Sequence, residues 1–307
     1  MTGAVVPYDS DTVIMYEHIE VEHGIAHLNT TPVKGQNVHR KGADRMKGDL
    51  VLSRDRKIAA ADIGILASVG CSEVVVKRMP SIAVISTGDE LVEINESPLP
   101  HQIRKSNAYQ LYASLSSEGI QPLLLHVADD KDMIRQKLSY AVQEMDVLIL
   151  SGGVSKGKFD FIPEIMEELG VEALFYKVMQ RPGKPFWFGK KKGSRTLIFS
   201  FPGNPVSTFV CYHRYFRDWL RASLGLAVDE ISVLLNEEIP ALADLTQFIG
   251  VRSSWHEGKL VATRVKDNGS GDFMALAGTD GFICLEPRER PYGIGEVVAF
   301  VATRNIM

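Results

Sequence analysis

Residues 81–226 alternate strand and helix patterns, and this alternation restricts the fold more than any other feature of the chain. Short apolar runs predict buried strands at 82–86, 122–127, 146–150, 174–178 and 197–201. Amphipathic stretches predict helices at 107–117, 131–143, 163–169 and 206–224. Alternation at this spacing predicts an α/β domain, with a mostly parallel sheet covered by helices on both faces.

The regions on either side differ in character. The first contains β-rich pieces at 12–16 and 25–28, but it has too little apolar area to fold alone. The second has a basic opening, a helix at 60–69 and a strand at 73–77, which predicts a small linking α+β domain. The last contains short strands separated by Gly-rich turns, which predict a C-terminal β-barrel. The predicted domains are therefore 1–38, 39–80, 81–226 and 228–307.

Composition excludes several classes of function. The formal charge is 34 − 38 = −4, which argues against bulk attraction to nucleic acid or to an anionic membrane. The three cysteines stand far apart, so neither a disulfide framework nor a zinc cluster is expected. The N-terminus has no signal-peptide pattern, and no apolar run approaches the roughly 18 residues needed to span a bilayer. These features predict a soluble, cytoplasmic protein.

Ligands of open parallel sheets bind outside the carboxyl ends of the strands, so the loops that follow the strands are the candidate site. One such loop is Ser86-Thr87-Gly88-Asp89-Glu90, where a glycine between hydroxyls and carboxylates suits a ligand or a metal. A simple capping turn is the alternative. Another is Gly-rich and predicts an anion nest, although it lacks the Walker A spacing. Its candidate residues are Ser151, Gly152, Gly153 and Ser155.

Two further loops carry cations and prolines. Lys177 is followed by Arg181-Pro182-Gly183-Lys184-Pro185, whose prolines stiffen the loop and fix its cations, as suits an oxyanion or a phosphate. A solvated basic hairpin is the alternative. The last loop precedes a helix, whose free N–H groups favour an anion. An ordinary turn that starts a helix would explain the same residues equally well. Its candidate residues are Pro202, Gly203, Asn204, Pro205 and Ser207.

Carboxylates are spread over the same loops. Glu90, Asp129, Asp130 and Asp160 follow strands, and Asp44 comes from the preceding region. Carboxylates beside a phosphate pocket are costly unless a cation lies between them. A divalent metal, most simply Mg²⁺, resolves this conflict.

The motifs together resemble those of the molybdopterin molybdenumtransferases, the bacterial MoeA-type proteins and the C-terminal domain of gephyrin, in order and in spacing. They are STGDEL (86–91), Ser106-Asn107, SGGVS with a later Gly and Asp (151–160), RPGKP (181–185) and PGNPVS (202–207). The likeness extends from MTGAVVP at the start to Gly-Ser-Gly at 269–271 and Gly-Glu-Val at 295–297.

The resemblance implies an elongated homodimer that hydrolyses adenylated molybdopterin in a metal-dependent step while molybdate is inserted. It implies that an upstream molybdopterin adenylyltransferase supplies the substrate. It also implies catalytic roles for Asp44, Glu90, Asp129, Asp160 and Lys177, with Glu90, Asp129 and Asp160 as metal ligands. Lys184, Pro202 and Pro205 match positions that line the pterin and molybdate pocket.

The sequence departs from the family pattern in two ways. Family members carry a further segment before MTGAVVP, with an SAMDGYA-like stretch and an active-site aspartate, so residues 1–38 are expected to be the remnant of a larger N-terminal β domain. Single residues also differ. Arg181 replaces a usual Lys, Ala43 a Glu, Lys105 an Asp and Lys156 a Val.

Two other functions remain. A molybdopterin-binding or scaffold module without turnover is favoured by these departures. The related adenylyltransferase shares the α/β domain, but it works as that domain alone, so the flanking regions speak against it.

Overall fold

A computed structural model describes residues 1–153, 161–228 and 230–305. The chain forms two compact units, Met1–Val74 and Val75–Met307. Within the described ranges, no helix combines the length and the apolar character needed to cross a bilayer. The four domains predicted from sequence remain a prediction.

The first unit contains little regular structure. After a 3₁₀ turn at Tyr16–His18 it forms an antiparallel hairpin of β1 (Ile19–Glu22) and β2 (Ile25–Leu28), and later the helix α1 (Ala60–Ser68). His23 and Gly24 join the two strands with φ of 51° and 81°, which is the conformation of a type I′ hairpin turn. The strand predicted at 25–28 and the helix at 60–69 are confirmed.

Two strands predicted from sequence do not form. Residues 12–15 are irregular, and residues 73–77 form no strand and pair with none. Val75 is 102% and Val76 is 65% exposed, so their β-branched side chains have no neighbouring strand to pack against. β-propensity reflects packing on such a neighbour more than an intrinsic backbone preference, which is why the sequence pattern was misleading here.

The second unit begins with an α/β region. Its strands are β3 (Ile82–Thr87), β4 (Leu91–Val92), β5 (Ile103–Arg104), β6 (Leu123–Val127), β7 (Val147–Ser151), β8 (Val171–Tyr176), β9 (Gln180–Arg181), β10 (Trp187–Lys191) and β11 (Leu197–Phe201). Its helices are α2 (Ser106–Ser117), α3 (Lys131–Glu144), α4 (Ile162–Glu168), α5 (Pro205–Cys211) and α6 (Arg217–Ser223).

Six of these strands form one sheet, in the order β6-β3-β7-β11-β10-β8. The first four are parallel, and β10 is antiparallel to both of its neighbours. The mostly parallel sheet is therefore confirmed. From β3 the chain moves outward to β6 and then crosses to β7 on the other side, so the strand order reverses between β3 and β7. A reversal of this kind opens a crevice at the carboxyl ends of the two strands.

The two faces of the sheet bury separate cores. One face packs against α3 and α4 through residues such as Leu138 and Ile165, both fully buried. The other packs against α2 and against the long helix formed by α5, the turn at 212–216 and α6. Its buried residues include Leu111, Tyr212 and Phe216. Each fully buried apolar side chain of this size stabilises the fold by about 1.5–3 kcal/mol. Successive side chains of each strand alternate between the two cores. This alternation fixes the register of the strands and therefore where each strand ends.

The long helix predicted at 206–224 is interrupted. α5 and α6 are joined by a π-helical turn at Tyr212–Phe216. Such turns insert a residue into the helix and are frequent near functional sites. Inside it, the Nε2 atom of His213 is buried without a partner among the described residues, and burial lowers the pKa of this side chain to about 3.

The C-terminal part is a closed barrel, as predicted. Its strands are β12 (Ile231–Leu235), β13 (Thr246–His256), β14 (Lys259–Arg264), β15 (Gly281–Leu285) and β16 (Val297–Ala302). They follow the order β14-β12-β16-β15-β13, and β13 pairs back with β14 to close the ring. The short strand β9 joins the edge of β13, in parallel, with Thr246 opposite Gln180. The α/β region thus contributes a strand to the barrel sheet, which the sequence analysis did not foresee.

Candidate functional site

Hydroxyl groups gather at the carboxyl ends of β3 and β7. Ser86 is 3%, Thr87 8% and Ser151 4% exposed, and Ser86 lies directly opposite Ser151 in the parallel pairing. The earlier residues of both strands are apolar and buried, so the change to serine and threonine occurs where the strand order reverses.

The Gly-rich loop after β7 passes very close to its neighbours. A Cβ atom at Gly152 would lie 3.3 Å from Thr87 Oγ1, and one at Gly153 would lie 2.6 Å from Ile162 Cδ1. Both residues also have positive φ, at 97° and 70°. The Gly152 N–H donates to the Phe201 carbonyl at 3.1 Å, so that amide holds two strand exits together. The anion nest stays a prediction, since residues 154–157 lie outside the described part of the chain.

Asn107, on α2, connects the end of β7 to the loop before α5 and to α5 itself. Its Nδ2 atom donates to Ser151 Oγ at 2.9 Å and to the Gly203 carbonyl at 2.7 Å, and lies 3.4 Å from Thr208 Oγ1. Because a carbonyl only accepts, the Gly203 contact fixes which end of the amide faces the loops. The Oδ1 atom is then buried with no hydrogen-bond partner among the described residues. A buried acceptor of this kind is normally satisfied by water or a ligand.

The acidic loops after β3 and β6 lie side by side. The backbone N–H of Asp129 donates to Asp89 Oδ1 at 3.0 Å, so Asp89 joins the two loops. The Glu90 carboxylate folds back over Gly88, where a Cβ atom would lie 2.6 Å from its Oε1. Gly88, with a φ of 130°, therefore leaves room for this acid. Asp130 instead caps α3, accepting the N–H of Met133 at 2.8 Å.

These acids are the candidate ligands of a metal ion. No cluster of three His, Cys, Asp or Glu side chains suited to a metal occurs among the described residues. Glu90 and Asp129 bring two hard oxygen donors to adjoining loops, and both are exposed. The third predicted ligand, Asp160, lies outside the described residues, as does the predicted binding residue Ser155.

A cleft of about 940 Å³ opens between the α/β region and the barrel. One wall consists of the 180–185 loop and the start of the long helix, and the other comes from β13, β14 and the 267–271 loop. Its volume lies at the upper end of the range of roughly 300–1,000 Å³ typical of ligand pockets. Seven predicted binding residues line it: Arg181, Gly183, Lys184, Pro202, Gly203, Asn204 and Ser207.

The 180–185 loop is held by the buried side chain of Gln180. The Gln180 Nε2 atom donates to the Pro182 carbonyl at 2.9 Å, and its Oε1 accepts a hydrogen bond from the Tyr215 hydroxyl on the long helix. Gly183 must be a glycine, because its φ is 92° and a Cβ atom would lie 2.6 Å from Gln180 Nε2. Close packing therefore fixes the position of the two cations that flank Gly183 in sequence.

The cleft is strongly cationic. Arg181, Lys184 and Arg264 line it, and none of them forms an ion pair with a described residue. Asp267 lines it too, but its Oδ1 accepts the Gly269 N–H at 2.8 Å. The barrel loop is tied to the opposite wall through Ser270, whose Oγ accepts from Asn204 Nδ2 at 2.8 Å. Such a cleft favours a small anion with several oxygens.

The remaining predicted residues lie elsewhere. Lys177 is exposed, with its Nζ 5.0 Å from the centre of the Tyr176 ring, and does not line the cleft. Ser151, Gly152 and Gly153 lie beside the cleft rather than in it; a Cβ atom on Gly203 would lie 3.7 Å from the Gly152 Cα. Asp44, in the first unit, is exposed and lies 3.2 Å from His39 Nε2. Pro205 begins α5.

Lys105, a departure from the family pattern, has a local partner. Its side chain is 9% exposed and forms a 2.5 Å ion pair with Glu93, which also accepts from the Tyr109 hydroxyl at 3.1 Å. The hydrogen bond from Lys105 holds the pKa of Glu93 below its ordinary value. The charge reversal is therefore compensated locally.

Sequence reasoning gave no role to three residues of the site, of which Asn107 and Ser270 appeared only as parts of the family motifs. Arg264 and Ser270 belong to the barrel, where strand-exit logic does not apply, and Asn107 was noted only through the family likeness. No local pattern identifies Arg264. Ser270 lies in the Gly-Ser-Gly segment, whose small residues were the one available signal.

Comparison with known proteins agrees with this architecture. Residues 83–222 match the family described as a probable molybdopterin binding domain. Residues 1–70 match the MoeA N-terminal region (domains I and II), and residues 232–302 match the MoeA C-terminal region (domain IV). The fold and the site thus define a protein of molybdenum cofactor biosynthesis with a molybdopterin-binding domain.

Whole-chain relatives give the family. The chain is 40% identical over 306 residues to a molybdopterin molybdenumtransferase of Synechocystis sp., covering 98% of this chain and 76% of that protein. It is 32% identical to the Bacillus subtilis protein of the same name, over 99% and 72% of the two chains. The chain belongs to the molybdopterin molybdenumtransferases, a family of enzymes. A crystal structure of the molybdopterin biosynthesis MoeA protein from Pyrococcus horikoshii superposes with a TM-score of 0.81, at 27% identity, over 99% of this chain and 75% of that one.

Proposed function

We propose that the chain inserts molybdate into adenylated molybdopterin in a metal-dependent reaction that releases AMP. The observation that carries the proposal is the cleft between the α/β region and the barrel, with three cations that have no ion-pair partner among the described residues. Several cations and hydroxyls around one cleft suit a tetrahedral oxyanion, because they replace its lost hydration. The substrate would come from a molybdopterin adenylyltransferase, and the proposed assembly is a homodimer.

The pterin phosphate is assigned to the strand exits beside the cleft. The hydroxyls of Ser86, Thr87 and Ser151 lie at the crevice where the strand order reverses, and Asn107 leaves a buried carbonyl oxygen for an N–H donor. Gly203 separates this crevice from the cleft. A ligand with a phosphate at the strand exits would therefore reach the cationic cleft with its other end, which suits a molecule that receives an oxyanion.

Glu90, Asp129 and Asp160 are assigned to a divalent cation, with Mg²⁺ as the simplest choice. The hydrogen bond from Asp129 to Asp89 brings the two described members onto adjoining loops, and hard carboxylate oxygens are the ligands Mg²⁺ prefers. When bound, the ion would neutralise the charge between these acids and the phosphates and polarise the phosphoanhydride. Hydrolysis of that bond consumes one water and leaves AMP and the molybdopterin phosphate.

The test separates chemistry from binding. Glu90→Gln and Asp160→Asn are expected to reduce molybdate-dependent AMP release far more than they reduce molybdopterin affinity, because carboxylates that hold a metal act on the reaction. Glu144→Gln is the control, since Glu144 ends α3 at the opposite edge of the sheet. Equal losses of affinity and rate would contradict the assigned roles. A chain that binds molybdopterin but releases no AMP would instead be a binding or scaffold module.

A further inference from the structure

The acidic loop after β3, residues 88–93, is held by the residues that lead into α2. It continues into β4, which pairs in parallel with β5 over only two residues of each strand. The Ile103 N–H donates to the Glu90 carbonyl at 2.8 Å, and the Lys105 N–H donates to the Val92 carbonyl at 3.1 Å. These two hydrogen bonds restrain the backbone of Glu90 from the side of α2.

Side chains add a second connection between the acidic loop and α2. Lys105 is only 9% exposed, and its Nζ atom lies 2.5 Å from Glu93 Oε1. The Tyr109 hydroxyl, one turn further along α2, donates to Glu93 Oε2 at 3.1 Å. Both carboxylate oxygens of Glu93 are therefore engaged. Because a buried ammonium is costly without its partner, the folded chain keeps Lys105 and Glu93 together.

The far side of the acidic loop faces the loop after β6. There Asp89 Oδ1 accepts the Asp129 N–H at 3.0 Å, and the Glu90 side chain is exposed. An exposed carboxylate is directed mainly by the backbone that carries it, so the contacts of Lys105 help to decide where the Glu90 oxygens lie relative to Asp129. Metal sites depend on such partners, which touch the ligands and orient them without touching the metal.

We propose that Lys105 is a positioning residue for the divalent cation, because its ion pair with Glu93 holds Glu90 where Glu90 and Asp129 can share one ion. This inference rests on the proposed function, which assigns both acids to the metal. Through its charge alone, Lys105 would repel the ion, so its removal would strengthen metal binding. A positioning role has the opposite consequence, since the acidic loop loses its anchor.

The experiment uses Mn²⁺ as the probe. Electron paramagnetic resonance measures its binding to the full chain, with and without molybdopterin. Lys105→Met removes a positive charge and Glu93→Gln a negative one, so an effect of charge alone would change Mn²⁺ affinity in opposite directions. Positioning predicts that both variants lose about ten-fold in affinity. Exchanging the two residues, Lys105→Glu with Glu93→Lys, restores the pair and should recover most of the loss.

A second ion pair provides the matched control. Arg135 Nε lies 2.9 Å from Glu168 Oε2 and joins α3 to α4 instead of to an acidic loop. Arg135→Met and Glu168→Gln should therefore leave Mn²⁺ affinity unchanged. Glu90→Gln, which removes a proposed ligand, should lower it.

The outcomes separate this inference from the proposed function. If Glu90→Gln loses Mn²⁺ while Lys105→Met binds it as tightly as the unsubstituted chain or more tightly, the role of Lys105 is refuted and the proposed function stands. If the unsubstituted chain binds no Mn²⁺, or Glu90→Gln binds it normally, the metal assignment itself is refuted. Urea unfolding identifies a variant that misfolds. In that case the exchanged pair decides, because a folded exchanged variant without recovered affinity contradicts the positioning role.

Discussion

Gly183→Ala tests whether close packing positions the cation loop. The new Cβ atom would lie 2.6 Å from Gln180 Nε2 and 2.9 Å from Cys211 Sγ, both in the buried region beneath the loop. It would also adopt a φ of 92°, which side chains other than glycine rarely tolerate. The loop must therefore shift, or Gln180 must give up its hydrogen bond to the Pro182 carbonyl.

The magnitude follows from these two costs. Forcing an alanine to positive φ costs roughly 1–2 kcal/mol. Overpacking a closely packed site adds about 1–3 kcal/mol. The free energy of unfolding should thus fall by about 2–5 kcal/mol, and the cations at Arg181 and Lys184 should bind molybdate more weakly as the loop moves.

Gly193→Ala provides a matched control. Gly193 has a φ of 71° in the turn between β10 and β11, but nothing lies within 4 Å of a Cβ atom there. It should cost only the conformational part, about 1–2 kcal/mol, and leave molybdate affinity unchanged. Urea unfolding and molybdate calorimetry on both variants decide the matter. If the two variants lose equal stability and bind molybdate equally, the packing argument is refuted.

Three further predictions concern buried groups. Because burial lowers the pKa of His213 to about 3, the unfolded chain takes up this proton first as the pH falls below about 6.5. The free energy of unfolding should therefore decrease toward pH 4 by up to ~1.4 kcal/mol per pH unit, and urea titrations of His213→Phe should show a smaller decrease. Asn107→Ala should cost about 0.5–1.5 kcal/mol in urea unfolding, because it removes the hydrogen bonds to Ser151 and to the exposed Gly203 carbonyl, and Asn107→Asp should weaken molybdopterin binding, measured by titration, by facing that carbonyl with an oxygen. Burial raises the pKa of the Cys211 thiol, so a thiol reagent should modify exposed Cys71 in the native protein long before Cys211.

The sequence predicted the α/β region well because its signals are local and consistent. The strand at 197–201 and the helix at 131–143 coincide with β11 and α3 to within a residue, since each combines a clear apolar period with a distinct start or stop. β10 was missed because Trp187–Lys191 contains a glycine and ends in two lysines. These residues break the apolar pattern by which a strand is predicted. β12, the strand that opens the barrel, was also missed.

Only the part of the candidate site that directly follows the parallel strands could be predicted from the sequence. Residues in the loops after β7 and β11 could be named in advance, because parallel strands bring their carboxyl ends to one edge. The closure of the cleft could not, since it depends on contacts between residues distant in sequence. The hydrogen bond from Asn204 to Ser270 joins positions 66 residues apart, and the sequence around either residue does not predict it.

The short strand β9 explains why the cleft needs both parts of the unit. Gln180 pairs with Thr246 in the barrel sheet, while its side chain holds the Pro182 carbonyl and the Tyr215 hydroxyl of the long helix. The cation loop therefore belongs to the barrel through its backbone and to the α/β region through its side chains. Because each connection restrains the same few residues, neither part alone would fix the positions of Arg181 and Lys184. A loop held from both sides is preorganised, and preorganised cations bind an anion without the entropy cost of ordering them.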